Sequence, residues 1–383
     1  MISEGPSASK RMKLDAPGTS DVEGNVAAAP GLGVEPDDQV AVVTAVVDPI
    51  PVPDVESERW IHLLFTWSGK PFSIDVAESD RVYDLKGALQ SLTDVPPERQ
   101  KILGLVKGKL PPDEERVGNL NLVSGKKFTL VGTPQGHELK DPSQLEFLPD
   151  VLNDLDVDFS ENPAAAQEYM NDQRNKRKVK EHTQKLQLNI INPLRENKRL
   201  LVLDLDYTIL DTKPLTSGAL PPNECARPML HEFLEAIYPY YDICIWSQTN
   251  WMWLETKLVE LGMLGGGRNY QISFDKTCMF TVFSKREGKQ YKHSVKALQI
   301  IWNHLPQFNA NNTIHVDDLG RNFALNPGEG LKIPAFKEAH TPQAMMDREL
   351  DRLARYMVHI ANTCADFRQV DHKDWHAIEQ GLP

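Results

Sequence analysis

Four stretches of this chain end in side chains equipped for the same chemistry. The apolar run Leu200-Leu201-Val202-Leu203 stops abruptly at Asp204, and Asp206 and Thr208 follow at alternate positions. Carboxylates two residues apart repel one another unless a cation or a proton compensates them. A second apolar run, from Tyr241 to Trp246, ends at the hydroxyl of Ser247, just ahead of a helical pattern from Asn250 to Leu261. Backbone N–H groups at a helix start favour an anion. Lys296 opens a further helical pattern, Val295 to His304, and the run Thr313 to Val316 ends at Asp317-Asp318. Carboxylates of this kind can attack an electrophile, move protons or hold a hard divalent cation, while a hydroxyl and an ammonium can hold an oxyanion. A D-x-D-x-T string alone matches by chance in about one chain in twenty of this length. The ordered set of four carries far more weight.

These residues need a scaffold that brings distant segments to one edge. A short, wholly apolar run reads as a strand buried on both faces of a parallel sheet, and ligands of such sheets bind at the carboxyl ends of the strands. Asp204, Ser247 and Asp317 all fall at such ends, with a Lys between the last two. The carboxyl-terminal part, 199–368, is therefore expected to be an α/β domain with a doubly wound parallel sheet, and 369–383 a tail.

The amino-terminal part reads differently. Residues 1–58 are rich in Pro, Gly, Ala, Asp and Glu without amphipathic period, so disorder is expected. Within them Lys10, Arg11 and Lys13 form a basic cluster similar to a nuclear import signal, or three solvated charges. From Trp60 the pattern becomes strand (Ile61–Trp67), turn (Ser68-Gly69-Lys70) and strand (Phe72–Val76). A helix capped by Ser79 or Asp80 follows, with Val82, Leu85, Leu89 and Leu92 on one face, then a turn-rich Pro96–Leu103 and a last strand, Lys127–Val131. That order, with Thr66-Trp67-Ser68-Gly69-Lys70 and Pro96-Pro97-Glu98-Arg99-Gln100-Lys101, resembles ubiquitin over 59–133. Gly132 is followed by Thr133-Pro134, so the resemblance implies a built-in β-grasp docking domain rather than a conjugated tag. It further implies that Trp67, Leu103 and Val131 form the apolar patch through which such folds meet receptors; the competing reading places them in the core. Residues 134–198 form a linker, in which an acidic piece near Asp150–Asp158 precedes a basic helix, Asn171–Leu188. That helix is expected to lie along a neighbouring domain with its charge favouring an acidic or phosphorylated ligand nearby.

The order Asp-x-Asp-x-Thr, Trp246-Ser247, Val295-Lys296 and Asp317-Asp318-Leu319-Gly320-Arg321-Asn322, with Arg227-Pro228 before the first helix, resembles the haloacid-dehalogenase-type phosphatases. Within them it is similar to the phosphatases of the RNA polymerase II C-terminal domain that carry a ubiquitin-like domain. The resemblance implies Asp204 as nucleophile, Asp206 as general acid and base, Thr208 bracing the loop, and Ser247 and Lys296 holding phosphoryl oxygens. It also implies Mg²⁺ held by Asp204, the main-chain carbonyl of Asp206 and Asp317, with Asp318 acting through water or orienting the ligands. Thr249, Lys292 and Asp318 compete with Ser247, Lys296 and Asp317 for their roles. Trp251 and Trp253 either grip a Pro-containing peptide or pack in the core. As partners the resemblance implies the nuclear 26S proteasome regulatory particle, and as substrate a proteasome subunit or the polymerase tail. The stretches from Thr208 to Tyr241 and from Ser247 to Lys296 are too short for a full cap domain, and Ile272–Tyr291 reads as short strands, so an open cleft for a phosphorylated protein segment is expected.

Other classes fit poorly. A net charge of -12 opposes nucleic-acid coating. Cys225, Cys244, Cys278 and Cys364 form no C-x-x-C pair, and six residues beyond them stand His231, Asn250, Ser284 and Val370, so there is no cysteine-phosphatase C-x₅-R. No P-loop is present, and no apolar run approaches the roughly 20 residues of a membrane span. A soluble intracellular protein is expected, in the nucleus by the family resemblance. The competing non-enzymatic reading is a scaffold with a lapsed phosphatase fold.

Overall fold

A computed structural model describes residues 58–134, 163–186, 188, 190–264, 272–286 and 289–382. The tail with Lys10, Arg11 and Lys13, and most of the acidic connecting piece, lie outside the described residues.

The amino-terminal module is a β-grasp. β1 (Trp60–Trp67) and β2 (Lys70–Ala77) pair antiparallel across Ser68-Gly69, whose positive φ values of 50° and 76° suit a two-residue hairpin turn. β4 (Lys126–Val131) lies parallel to β1 and antiparallel to β3 (Lys101–Leu103), giving the order β2-β1-β4-β3. The helix Val82–Thr93 buries Val82, Leu85, Leu89 and Thr93 against this sheet. Leu92, expected on that face, is 46% exposed. At about 100° per residue, positions 92 and 93 flank the stripe of 82, 85 and 89 at similar angles on opposite sides, and Thr93 is the one buried, its hydroxyl donating to the Leu89 carbonyl at 2.7 Å. The cap is also different: Asp84 accepts the Arg81 backbone N–H at 2.9 Å, while Asp80 turns back to the Ala77 N–H, also at 2.9 Å.

The second part is a five-stranded, all-parallel sheet in the order β11-β10-β5-β6-β7: β5 (Arg199–Leu203), β6 (Tyr241–Trp246), β7 (Ile272–Phe274), β10 (Thr313–Asp317) and β11 (Gly330–Lys332). Alternation along β5 and β6 explains its two coats. Leu201, Leu203, Ile243 and Ile245 pack on one face with the helices Leu230–Ile237 and Glu349–Thr363. Leu200, Val202, Cys244 and Trp246 pack on the other with the helix Leu298–His304. Ile272–Phe274 is thus an edge strand of the main sheet rather than part of an insertion. Only the hairpin of β8 (Phe280–Arg286) and β9 (Lys289–Val295) stands apart from it. Val295 ends β9, so Lys296 follows a strand instead of opening a helix. The expected tail folds back: Trp375, only 1% exposed, packs beside Tyr356 and donates to the Lys332 carbonyl at 3.3 Å.

The basic helix breaks at Asp172, which caps the helix Gln173–Lys185 by accepting from the N–H groups of Arg174 and Asn175. Two of its arginines are committed to the β-grasp module, while Lys176, Lys180 and Lys185 are exposed. Buried Arg174 donates to both oxygens of Asp84 at 2.6 and 2.7 Å and to the Thr281 carbonyl of β8 at 2.8 Å. Arg177 pairs with Asp80 and Glu58, Arg116 with Asp172 at 2.8 Å, and Tyr83 lies 3.3 Å from the Thr281 hydroxyl. The expectation of a neighbouring domain face holds for this helix. Arg174 and Arg177 are neutralised by the module's carboxylates, so any charge this helix offers an acidic ligand comes from its exposed lysines.

Candidate active site

Parallel order places the ends of β5, β6 and β10 side by side, which brings Asp204, Ser247, Asp317 and Asp318 together with Lys296 and Thr208; all six are buried. After β5 the chain turns through Tyr207 at a left-handed φ of 62°, and the loop is pinned from several sides. The Thr208 hydroxyl donates to Asp204 at 2.9 Å and accepts the Asp318 N–H at 3.1 Å, bracing one strand end against another. Arg227 donates to the carbonyls of Thr208 and Pro334 at 3.0 and 2.9 Å while pairing with Asp347 at 2.9 Å. The Arg-Pro pair before the helix Leu230–Ile237 therefore has a tethering role.

Lys296 bridges Asp204 and Asp317, the latter at 2.7 Å. Asp317 also accepts from the Asn322 amide at 2.7 Å and the Leu319 N–H at 2.8 Å. Burial would raise the Asp317 pKa, but the charge of Lys296 and then hydrogen bonding by the neighbouring His315 outweigh it and hold it below the usual range. Asp204 goes the other way. Burial, then the neighbouring charge of Asp317, push its pKa well above the ordinary value despite Lys296, with Asp318 and Asp206 adding to the rise. Carboxylate oxygens of Asp204, Asp317 and Asp318 lie within 4.8 Å of one another, all buried, around a single ammonium. That surplus of hard oxygen donors and negative charge fits a divalent cation such as Mg²⁺. Asp317 is held by Lys296, Asn322 and the Leu319 N–H, and Asp318 stands beside it in the same carboxylate group, so both remain candidate ligands next to Asp204.

Asp206 is drawn to a separate group. Its Oδ1 takes the ammonium of Lys257 and the hydroxyl of Thr212 at 2.6 Å, and its Oδ2 takes the hydroxyl of Ser247 at 2.7 Å. Ser247, expected to hold phosphoryl oxygens, here donates to Asp206, and Thr249 lies 2.9 Å from it. Lys257 and Thr212 escaped the sequence reading. A signal for Lys257 existed: Leu254, Leu258 and Leu261 mark the buried stripe of the helix Trp251–Glu260, and Lys257 falls within it. Lys292 is far from this chemistry, pairing with Asp113 of the β-grasp module at 3.4 Å. Trp251 is partly exposed at the start of its helix, and Trp253 is half-buried.

The proposed docking patch is only partly assembled. Leu103 and Val131 are 55% and 47% exposed. Register explains why they share a face: Lys101 pairs with Val131, and Leu103 pairs with Thr129, which is also outward. Trp67 instead pairs with inward Leu130, packs tilted on Phe72 and donates to the Gly132 carbonyl at 3.2 Å. It closes the edge of the module's core and does not belong to that face.

Comparison with known proteins accounts for both parts. Residues 199–368 match the family model for NLI interacting factor-like phosphatases, and 61–135 match that of the ubiquitin family. Proteins named ubiquitin-like domain-containing CTD phosphatase 1 from Gallus gallus and Homo sapiens are each 39% identical over 324 residues, covering 82% of this chain and 96% of theirs. Among solved structures, the UBL domain of Plasmodium falciparum Dsk2 aligns at 29% identity over 20% of this chain and 100% of its own, with a TM-score of 0.18.

Proposed function

The chain belongs to the family of ubiquitin-like domain-containing CTD phosphatases and is a protein phosphatase, and from that premise we propose a Mg²⁺-dependent phosphoserine/threonine phosphatase that works through Asp204 and is docked by its β-grasp module to the nuclear 26S proteasome. The observation that carries the chemistry is the buried surplus of carboxylates around Asp204, with one ammonium to offset them. Asp204 attacks the phosphorus, forming the Asp204–phosphorus bond as the bond to the seryl oxygen breaks. Asp206 gives that oxygen a proton, then takes one from the water that releases phosphate. Lys296 offsets the charge of Asp204 and Asp317 and faces the incoming phosphoryl oxygens. Thr208 keeps the two strand ends in register. Asp204 and Asp317, with the Asp206 carbonyl and with Asp318 acting directly or through water, would hold the cation, which when bound neutralises phosphoryl charge.

Short connections on either side of β6 support an open cleft and a protein segment as substrate, either a proteasome subunit or the polymerase tail. The test is phosphate release from a phosphoserine heptad peptide. Release should stop with EDTA, return with Mg²⁺, and be lost in Asp204→Asn; turnover unaffected by chelation would remove the metal. For docking, the full-length protein should retain proteasome regulatory particles from nuclear extract and lose them when Leu103 and Val131 become Ser. Nuclear placement through Lys10, Arg11 and Lys13 is tested by following the full chain in cells with those residues changed to Ala. Unchanged nuclear accumulation would exclude them as the signal.

A further inference from the structure

The geometry points to Lys257 as a positioning residue for the proton-transfer step: with Thr212 it pins one oxygen of Asp206, so that the other, released by Ser247, is aimed at the leaving oxygen. The inference rests on Asp206 being the acid and base of the reaction proposed above.

Three donors converge on the Asp206 carboxylate, but they divide by oxygen. Lys257 and Thr212 hold Oδ1, whereas Ser247 alone holds Oδ2. Lys257 comes from the helix Trp251–Glu260 and Thr212 from the helix that starts just after the β5 loop, so Oδ1 is gripped from two elements. Both donors are buried, and the side chains of Lys257 and Asp206 are 4% and 3% exposed. A lysine ordered in so dry a place lacks water to satisfy it, and Asp206 supplies its ion pair. Ser247 differs because its hydroxyl can rotate. When phosphoryl oxygens arrive, its hydrogen turns to them, and Oδ2 loses its partner while Oδ1 keeps two. The carboxylate is then fixed in direction, and its open oxygen takes up from solvent the proton that it passes to the seryl oxygen. This reconciles the phosphate-holding role expected of Ser247 with the bond it makes in the structure.

Leaving groups distinguish positioning of an acid from general support of the fold. A seryl alkoxide is strongly basic and leaves only with a proton, while p-nitrophenolate leaves readily without one. In full-length protein with Mg²⁺, Lys257→Met should reduce kcat/KM, which reports transfer to Asp204 rather than the later hydrolysis shared by both substrates, about 100-fold on a phosphoserine peptide and less than about 5-fold on p-nitrophenyl phosphate. Thr212→Val, which leaves the ion pair in place, should show the same split at about 10-fold, and it carries the test if the Lys257 variant fails to fold. Equal losses on both substrates, or no loss, would overturn the inference. Asp206→Asn is the control: if it shows no split, the assignment of Asp206 fails, whereas a split there with none in the Lys257 and Thr212 variants sinks only the positioning role.

Discussion

Asp84 and Asp204 are both buried beside a buried cation, yet they obey opposite electrostatics. Asp84, in the β-grasp module, would be raised by burial, but the hydrogen bonds and charge of Arg174, with Lys178, bring its pKa below the ordinary value. Asp204, at the end of β5, is raised because burial and the charge of Asp317 overcome Lys296. In the first place one carboxylate meets a bidentate guanidinium and the account is balanced. In the second, three carboxylates share one ammonium. A balanced buried set joins parts of the molecule, while a surplus leaves binding capacity for something that must come from outside.

The largest effect should come from breaking the surplus. Asp204→Asn is expected to lower turnover of a phosphoserine peptide by about 10⁴-fold or more, since it removes the nucleophile. The same change should leave the metal-free protein as stable or raise its stability by about 1 kcal/mol, because a charge opposed by its surroundings is gone. A destabilised variant in thermal denaturation would show that Asp204 is compensated after all. Breaking the balanced site should do the reverse. Arg174→Met strands Asp84 and is expected to reduce unfolding free energy by about 3 kcal/mol. Adding Asp84→Asn should recover part of that loss in denaturant titrations, which sets the coupling of the pair.

Acid gives a smaller and graded test. The folded pKa of Asp84 is depressed below 3.8, so its contribution is fully present above that unfolded value and lost as pH falls through the lower folded one. The stability difference between wild type and Asp84→Asn should therefore hold constant from about pH 7 to 5 and shrink only below about pH 4. A difference that changes near neutrality would assign the dependence to another group. The smallest effect on folding is expected for Leu103→Ser with Val131→Ser, within about 0.5 kcal/mol by denaturant titration, because neither side chain supports the core.

The backbone plan was legible because its signals are local. Largely apolar runs marked β5, β6 and β10, and the order of their terminal Asp, Ser and Asp residues located the site. What escaped depends on geometry between segments. Leu92 and Thr93 lie at similar angles on either flank of the buried stripe, so periodicity alone does not say which of them is buried. Trp67 turns inward because its parallel partner is Leu130. Arg174 looks in sequence like one more charge on a basic helix, and only the placement of Asp84 makes it a buried clamp. Lys257 lies in an apolar stripe, but its partner, Asp206, is 51 residues away in the chain.

The hairpin of β8 and β9 links these contacts to the site. Thr281, gripped by Tyr83 and Arg174 of the clamp, sits directly across from Ser294, and the strand ends one residue later, immediately before Lys296. The contacts that the amino-terminal module makes on this hairpin therefore end two residues from the ammonium that bridges Asp204 and Asp317.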